Sequence, residues 1–250
     1  MKKIVKIIEI LHKKFAIYLY YTAKPHYVNP IHILRKFNEI SAKKELQKNK
    51  ELWNHLTVVI NRSQSTGCEF SDYLMLYKTI ISLNPKHILE LGSGVTTSVI
   101  ACAIKEKFEL AGKKAIFISM EENPFYHNQI KDIFPDDLKP YVIFCRSNRK
   151  EKMYKGFLGC HYESIQDYPY DFVFIDGPTL RATPSSSKCF NSDFINIIMK
   201  SNNPVTGMLD QRIGTYWVLK KLLPRAAVNY YPIKKTTYIR NANKQSLINL

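Results

Sequence analysis

The sequence predicts an α/β fold, a mostly parallel sheet with helices on both faces, preceded by a helical extension. Three stretches predict it. Residues 87–101 read as strand, turn and helix: Ile88, Leu89 and Leu91 form a short apolar run, Gly92-Ser93-Gly94 a turn, and a helical pattern starts from Thr96. Residues 115–120 form a second apolar run that ends in Glu121-Glu122. Residues 171–175 form a third, and it delivers Asp176 to the same edge. In parallel α/β sheets ligands bind beyond the carboxyl ends of the strands, so acids at three such ends make a site.

The elements follow in order. Residues 1–21 form an amphipathic helix, with Ile4, Ile7, Ile8, Leu11, Phe15 and Tyr18 on one face and lysines largely on another. Lys24-Pro25 ends it, because the residue before a proline is pushed out of helical geometry. Residues 30–38 read as a short helix, and 41–60 as a longer one opening at Ser41. Residues 61–68 are a polar loop, and 72–83 a helix stopped by Asn84-Pro85. After the glycine turn, Thr96 or Thr97 can cap the next helix through its side-chain oxygen. Asn123-Pro124 starts another, with asparagine as cap and proline at the first helical position. Residues 141–145 make the third strand. Residues 150–169 read as an ordered loop, 171–175 as the fourth strand and 179–188 as a polar loop. A helix over 190–200, a strand over 205–209 and a helix over 215–223 come next. Residues 227–233 and 236–239 close the sheet as a hairpin.

Glycines at the turn let the chain reverse and remove a side chain that would collide with a ligand. A carboxylate ending the second strand can accept both hydroxyls of a ribose, and Glu121 holds that place. The charged insert 105–114 accounts for its distance from the glycines.

These residues resemble the class I S-adenosylmethionine-dependent methyltransferases. Glu90-Leu91-Gly92-Ser93-Gly94 is similar to their first motif, Glu/Asp-x-Gly-x-Gly, and residues 171–177 resemble their fourth strand. Val95-Thr96-Thr97, in place of a third glycine, is most similar to the small-molecule and sugar O-methyltransferases. Threonine there argues against a dinucleotide, since the third glycine permits close helix packing beneath a pyrophosphate. The resemblance covers about residues 85–223. It implies a Rossmann-like, seven-stranded, mostly parallel sheet over residues 85–250, behind a basic helical extension over 1–84. It also implies S-adenosyl-L-methionine as cofactor, with Glu90, Gly92, Ser93, Gly94, Thr96, Thr97 and Glu121 as its binding residues. Arg146-Ser147-Asn148 falls where the family's adenine contacts lie, which makes Ser147 a further candidate.

Methyl transfer from a sulfonium is an in-line displacement that needs the acceptor aligned and, for a hydroxyl, deprotonated. Asp176 and His161 are the candidate catalytic groups. Arg181, able to fork onto a phosphate or carboxylate, and Asp210 are the candidates for substrate binding. In metal-dependent O-methyltransferases an acid like Asp176 binds a divalent ion and is followed by Ala-Asp. Here Gly177-Pro178 follows, so a metal-free site is expected.

With 45% hydrophobic residues the chain can bury a full core, which excludes disorder. The net charge is +16, and residues 1–50 hold 12 Lys/Arg against 3 Asp/Glu. That balance suits a nucleic acid, an acidic membrane surface, or an acidic glycan, or it simply solubilises the surface. The basic helix of residues 1–22 can lie on an anionic membrane, pack on the domain, or pair with a second copy in a homodimer. RNA is the less favoured acceptor, because no Asn-Pro-Pro-Tyr-like motif and no aromatic-basic module is found. Five cysteines without a C-x-x-C pair argue against disulfides and zinc and for a reducing compartment. The expected location is cytoplasmic, with a peripheral place at the inner membrane face as an option. The longest charge-free stretch near the start, residues 15–23, is far below the roughly 20 residues a spanning helix needs. A signal peptide is not expected, since Lys13-Lys14 splits the apolar region. Three functions follow: methyl transfer to a small-molecule or glycan hydroxyl, methyl transfer to RNA, or an inactive methyltransferase-like assembly partner at a membrane.

Overall fold

A computed structural model describes residues 30–64, 68–112, 114–182 and 185–247. The amphipathic helix expected over residues 1–21 lies outside the described residues. Among those described, no helix is long and apolar enough to cross a membrane.

Residues 30–62 form two helices, α1 (Pro30–Leu46) and α2 (Lys50–Arg62). The expected break near residue 40 is absent. Nothing at Asn38 to Ser41 disrupts a helix, and Ile31, Ala42 and Leu46 lie buried along one continuous face. The break falls at residues 47–49, where the Asn49 side chain caps α2 by accepting from the Leu52 amide at 3.1 Å. Glu39, in mid-helix, caps its neighbour: its carboxylate accepts from the Phe70 and Ser71 amides at the start of α3 (Phe70–Leu83). On the other side of α1, Ile33, Leu34, Phe37 and Ile40 are exposed.

The sheet begins with β1 (His87–Leu91), followed by α4 (Val95–Ala111), β2 (Ile116–Glu121), α5 (Pro124–Ile133) and β3 (Ile143–Arg146). A hairpin comes next, β4 (Arg149–Tyr154) and β5 (Phe157–Tyr162), and then β6 (Phe172–Ile175). The chain ends with β7 (Phe190–Asn191), α6 (Asp193–Lys200), β8 (Val205–Asp210), α7 (Ile213–Leu222), β9 (Val228–Tyr231) and β10 (Thr236–Ala242). The seven-stranded sheet has the order β3-β2-β1-β6-β8-β10-β9. β10 runs antiparallel to both neighbours, and every other pairing is parallel. This is the Rossmann-like, mostly parallel sheet expected, closed by its reversed hairpin. The chain winds outward from β1 to β3, then returns to β6 on the other side of β1. That reversal places the topological switch point between β1 and β6.

Strand residues alternate between two cores, as period-2 geometry requires. Ile88, Phe117, Phe172 and Phe174 face one core with α4 and with the helices before the sheet, through Leu52, Leu56, Leu76 and Ile80. Leu89, Leu91, Val173 and Ile175 face the other, with Phe194 and Ile198 of α6 and Leu219 of α7.

Two segments depart from expectation. Residues 149–162, expected as loop, are a hairpin whose two turn residues, Lys155 and Gly156, both have positive φ (47° and 81°). β5 also pairs in parallel with β7, which makes a second, three-stranded sheet. Phe190 and Asn191 are therefore strand, and α6 starts three residues later than expected. The β9–β10 connection is four residues, 232–235, held by the Arg35 guanidinium donating to the Pro232 carbonyl.

Candidate functional site

The glycine turn sits at the switch point and is built by contacts on every side. Gly92 has φ +98°, and a Cβ there would lie 2.6 Å from the Gly177 amide nitrogen. Gly177 is as confined, with the Gly92 backbone and the Tyr162 hydroxyl at 2.6–2.7 Å from its own would-be Cβ. Both positions therefore require glycine. The turn is tied to its neighbours through Gly92 N–H to the Met120 carbonyl (2.9 Å) and Asp176 N–H to the Leu91 carbonyl (2.8 Å).

Glu90, named above as a cofactor residue, points into the protein. It is fully buried on the α4 side of the sheet, and its oxygens accept from Thr96, Thr97 and Ser119 hydroxyls, each at 2.6 Å. Burial pushes its carboxyl up to about 7 against the pull of those hydroxyls. Thr96 and Thr97 are likewise buried and directed at Glu90, while the Thr97 hydroxyl oxygen accepts from the Gly94 amide at 3.0 Å. Neither threonine is the N-cap, which is Gly94, but Thr97 at the third helical position accepts the capping-box bond from its amide. These groups set the shape of the turn from below. Ser93 continues the network, its hydroxyl 2.7 Å from that of Ser119.

Glu121 ends β2 beside this turn. Its Oε1 accepts from the Glu122 and Asn123 amides at 2.9 and 2.8 Å, and the Ser93 amide also bonds to the carboxylate. Burial raises its carboxyl above the usual range against these three amides. Glu122 reaches across to accept from the Thr179 amide after β6, at 2.9 Å. Ser147 is buried after β3, where its hydroxyl oxygen accepts from the Ser164 amide at 2.9 Å and so fastens the end of the hairpin.

Beyond β6 and β8 lies a second group. Asp176 and Asp210 share the thiol of Cys68, which stands 3.7 and 3.5 Å from one oxygen of each. Arg212 approaches Asp176 at 3.6 Å and donates to the Pro178 carbonyl at 2.8 Å. Asp210 is 3% exposed and its Oδ1 has no partner. Burial, then the charges of Asp72 and Asp176, hold its carboxyl well above the ordinary range. Asp176 is raised by burial too, and the Arg212 charge opposes the rise in both acids, most at Asp176. Burial and the two acids push the Cys68 thiol far up, so it stays protonated and unreactive. The ligand atoms of Cys68, Asp72 and Asp210 lie within 4.8 Å of one another. Asp72 is already engaged, accepting from the Glu69 amide and the Thr236 hydroxyl. A cavity of about 410 Å³ opens here, lined by Asp176, Arg181, Lys188, Asp210, Arg212 and Gly214 among others.

His161 sits apart from this group. It pairs with Lys150 across the hairpin, on the face of β5 opposite Tyr162, and no described contact joins it to Asp176 or Asp210. Burial, Lys152 and Lys150 lower its affinity for a proton. Cys68 and Arg212 have no assigned role in the sequence reading. The signal for Arg212 was its place two residues beyond a strand-ending acid, whereas nothing local marks Cys68.

No family model matches the sequence, and no curated protein matches it. Solved structures similar in fold include the SAH-bound methyltransferase PaMTH1 of Podospora anserina. It is 11% identical, with 89% of this chain and 99% of that one covered and a TM-score of 0.49. An O-methyltransferase of Bacillus cereus in complex with SAH is 13% identical over 80% of this chain and 90% of its own, with a TM-score of 0.44. The O-methyltransferase TomG of Streptomyces achromogenes, in complex with SAM, is 11% identical over 82% and 90%, with a TM-score of 0.42. At these identities the likeness is one of fold, and the strand order above carries that fold independently.

Proposed function

We propose that the chain is an S-adenosylmethionine-dependent methyltransferase that methylates a hydroxyl of a small molecule or glycan. The observation that carries the reading is the switch-point edge, where a glycine-flanked turn, a β2-ending carboxylate and the Asp176–Asp210 pair converge. The residues fit the cofactor. S-adenosylmethionine carries a cationic sulfonium, an ammonium and a ribose diol, and the edge offers the carboxylates of Glu121, Glu122 and Asp176. No basic side chain stands in the turn or the first turn of α4. Glu121 would hold the ribose hydroxyls, and the Gly92–Gly94 backbone would allow close approach.

When bound, the cofactor supplies an electrophilic methyl group. The chain supplies the rest. Asp176, beside the Arg212 charge, is the carboxylate better kept ionised, and it would take the acceptor's proton. Asp210, driven toward its protonated form, would hold the same hydroxyl by hydrogen bonding. Burial raises both acids, and the charges of Asp72 and Asp176 raise Asp210 further, which separates their roles. Cys68 bridges them as a neutral thiol and cannot compete for the methyl group. Glu90, Thr96, Thr97 and Ser119 are positioning residues, because they hold the turn without facing a ligand.

Calorimetric titration with S-adenosylmethionine and S-adenosylhomocysteine tests the reading. Micromolar binding by the native chain, abolished in Gly94→Asp, is expected. A folded native chain that binds neither compound would sink it.

A further inference from the structure

We infer that the acceptor carries an anionic group, a phosphate or a carboxylate, and that Arg181 and Lys188 hold it within the cavity that Asp176 and Asp210 line. The word acceptor rests on the methyltransferase reading. The anion site rests on three observations of its own, and the hydroxyl beside it on a fourth.

Residues 180–182 pair with residues 187–189, with Cys189 N–H donating to the Leu180 carbonyl (2.9 Å) and Ala182 N–H to the Ser187 carbonyl (2.8 Å). This places Arg181 directly opposite Lys188 in an antiparallel bridge. Side chains directly opposite stand about 5 Å apart at Cβ on one face, where like charges repel. Among the described residues neither cation forms an ion pair. An anion between them would convert a repulsive pair into a two-pronged clamp.

The support is anchored. Arg149 donates to the Thr179 and Arg181 carbonyls, and Ala182 and Cys189 pack with Cys160 in a small buried cluster. The two cations therefore project from a fixed base.

The cavity wall across from them includes the start of α7. Arg212, its N-cap, makes no side-chain cap, and no acid occupies the first turn. The space beside Gly214 is open. Ile213 N–H is spent on the Gln211 carbonyl (2.9 Å), and backbone N–H groups left unpaired at such an end, as at Gly214, favour a negative charge.

The last observation is Asp210, a residue 3% exposed that lines the same cavity and whose Oδ1 has no partner. It calls for a hydroxyl, not for an anion. Together the walls select a ligand with both: a hydroxyl for the acids and, a few bonds away, an anionic group for the cations. Sugar phosphates and hydroxy acids have that chemistry.

The experiment uses the full chain, a double variant Arg181→Gln/Lys188→Gln, and a charge-matched control, Lys36→Gln/Lys44→Gln on α1. Each is titrated with S-adenosylhomocysteine, then with inorganic phosphate and with glycolate, at low ionic strength. The native chain and the control should bind one of the two anions, and the double variant should lose at least tenfold of that affinity with its S-adenosylhomocysteine binding unchanged. The preferred anion tells phosphate from carboxylate. Absence of anion binding by the native chain, or equal binding by the double variant, overturns the inference. Anion binding without S-adenosylhomocysteine binding keeps the site and removes the methyltransferase reading, while the reverse result does the opposite.

Discussion

Glu90 shows how one buried residue sets the shape of a turn. Its side chain gathers three hydroxyls from two elements, α4 and β2, at a place no water reaches. Removing a buried partner leaves each orphaned group with a cost of about 1–3 kcal/mol. Glu90→Ala orphans three and opens a small void, though the hydroxyls recover part of the loss by bonding one another. Urea unfolding should show a loss of about 3–5 kcal/mol for Glu90→Ala. Glu90→Gln keeps one carbonyl acceptor and the volume, and should lose less than half as much. Equal losses for the two variants would mean that the volume, not the acceptors, holds the turn.

At the scale of elements, the junction between β7 and α6 links the second sheet to the glycine turn. Asn191 Nδ2 donates to the Gly177 carbonyl (2.9 Å) and to Asp193 (3.0 Å), while its oxygen accepts from the Asp193 amide (3.1 Å). Asp193 in turn accepts from the Tyr162 amide at 3.0 Å, so β5, α6 and the end of β6 share one buried polar node. Gly177 abuts Gly92, and a shift of one moves the other. Asn191→Ala should therefore cost about 2–4 kcal/mol and, through Gly177, weaken S-adenosylhomocysteine binding severalfold. Calorimetry beside thermal unfolding checks both, and a stability loss with affinity unchanged would remove the link to the turn. The hairpin feeding this node went unread because its first strand, Arg-Lys-Glu-Lys-Met-Tyr, lacks apolar alternation. It is an edge strand, and charges are what protect such an edge. The one local sign was Lys155-Gly156, a two-residue turn able to take positive φ twice.

Across the molecule, several buried carboxylates hold protons that the unfolded chain would release. Glu90 and Asp193 are both raised by burial to about 7, and Asp72 and Asp210 are raised by the same cause. The folded state binds more protons in this range, so stability falls as pH rises. The contribution of Glu90 and Asp193 is complete below about pH 4 and gone above about pH 7. The melting temperature should thus drop between pH 5.5 and 8, and Glu90→Gln, with no proton to lose, should flatten that drop. A slope unchanged in Glu90→Gln would show that Glu90 is ionised throughout.

The apolar runs alone were enough to predict the mostly parallel sheet, and the observed sheet agrees with them. Apolar runs ending in Glu90, Glu121 and Asp176, each followed by Gly or Asn chemistry that turns the chain, encode local geometry that tertiary packing had no reason to override. Where each side chain points and what it meets depend on how the strands are ordered and packed. Glu90 and Glu121 read alike as strand-ending acids. Glu90 lies on the pleat facing α4 and is spent on hydroxyls, while Glu121 sits at the strand's last position beside the turn. Cys68 reaches the acids across 108 and 142 residues of sequence, and Arg212 becomes the partner of Asp176 only because β6 and β8 lie side by side. Periodicity is a property of neighbours along the chain. Contacts between strand ends are a property of strand order, which no local pattern records.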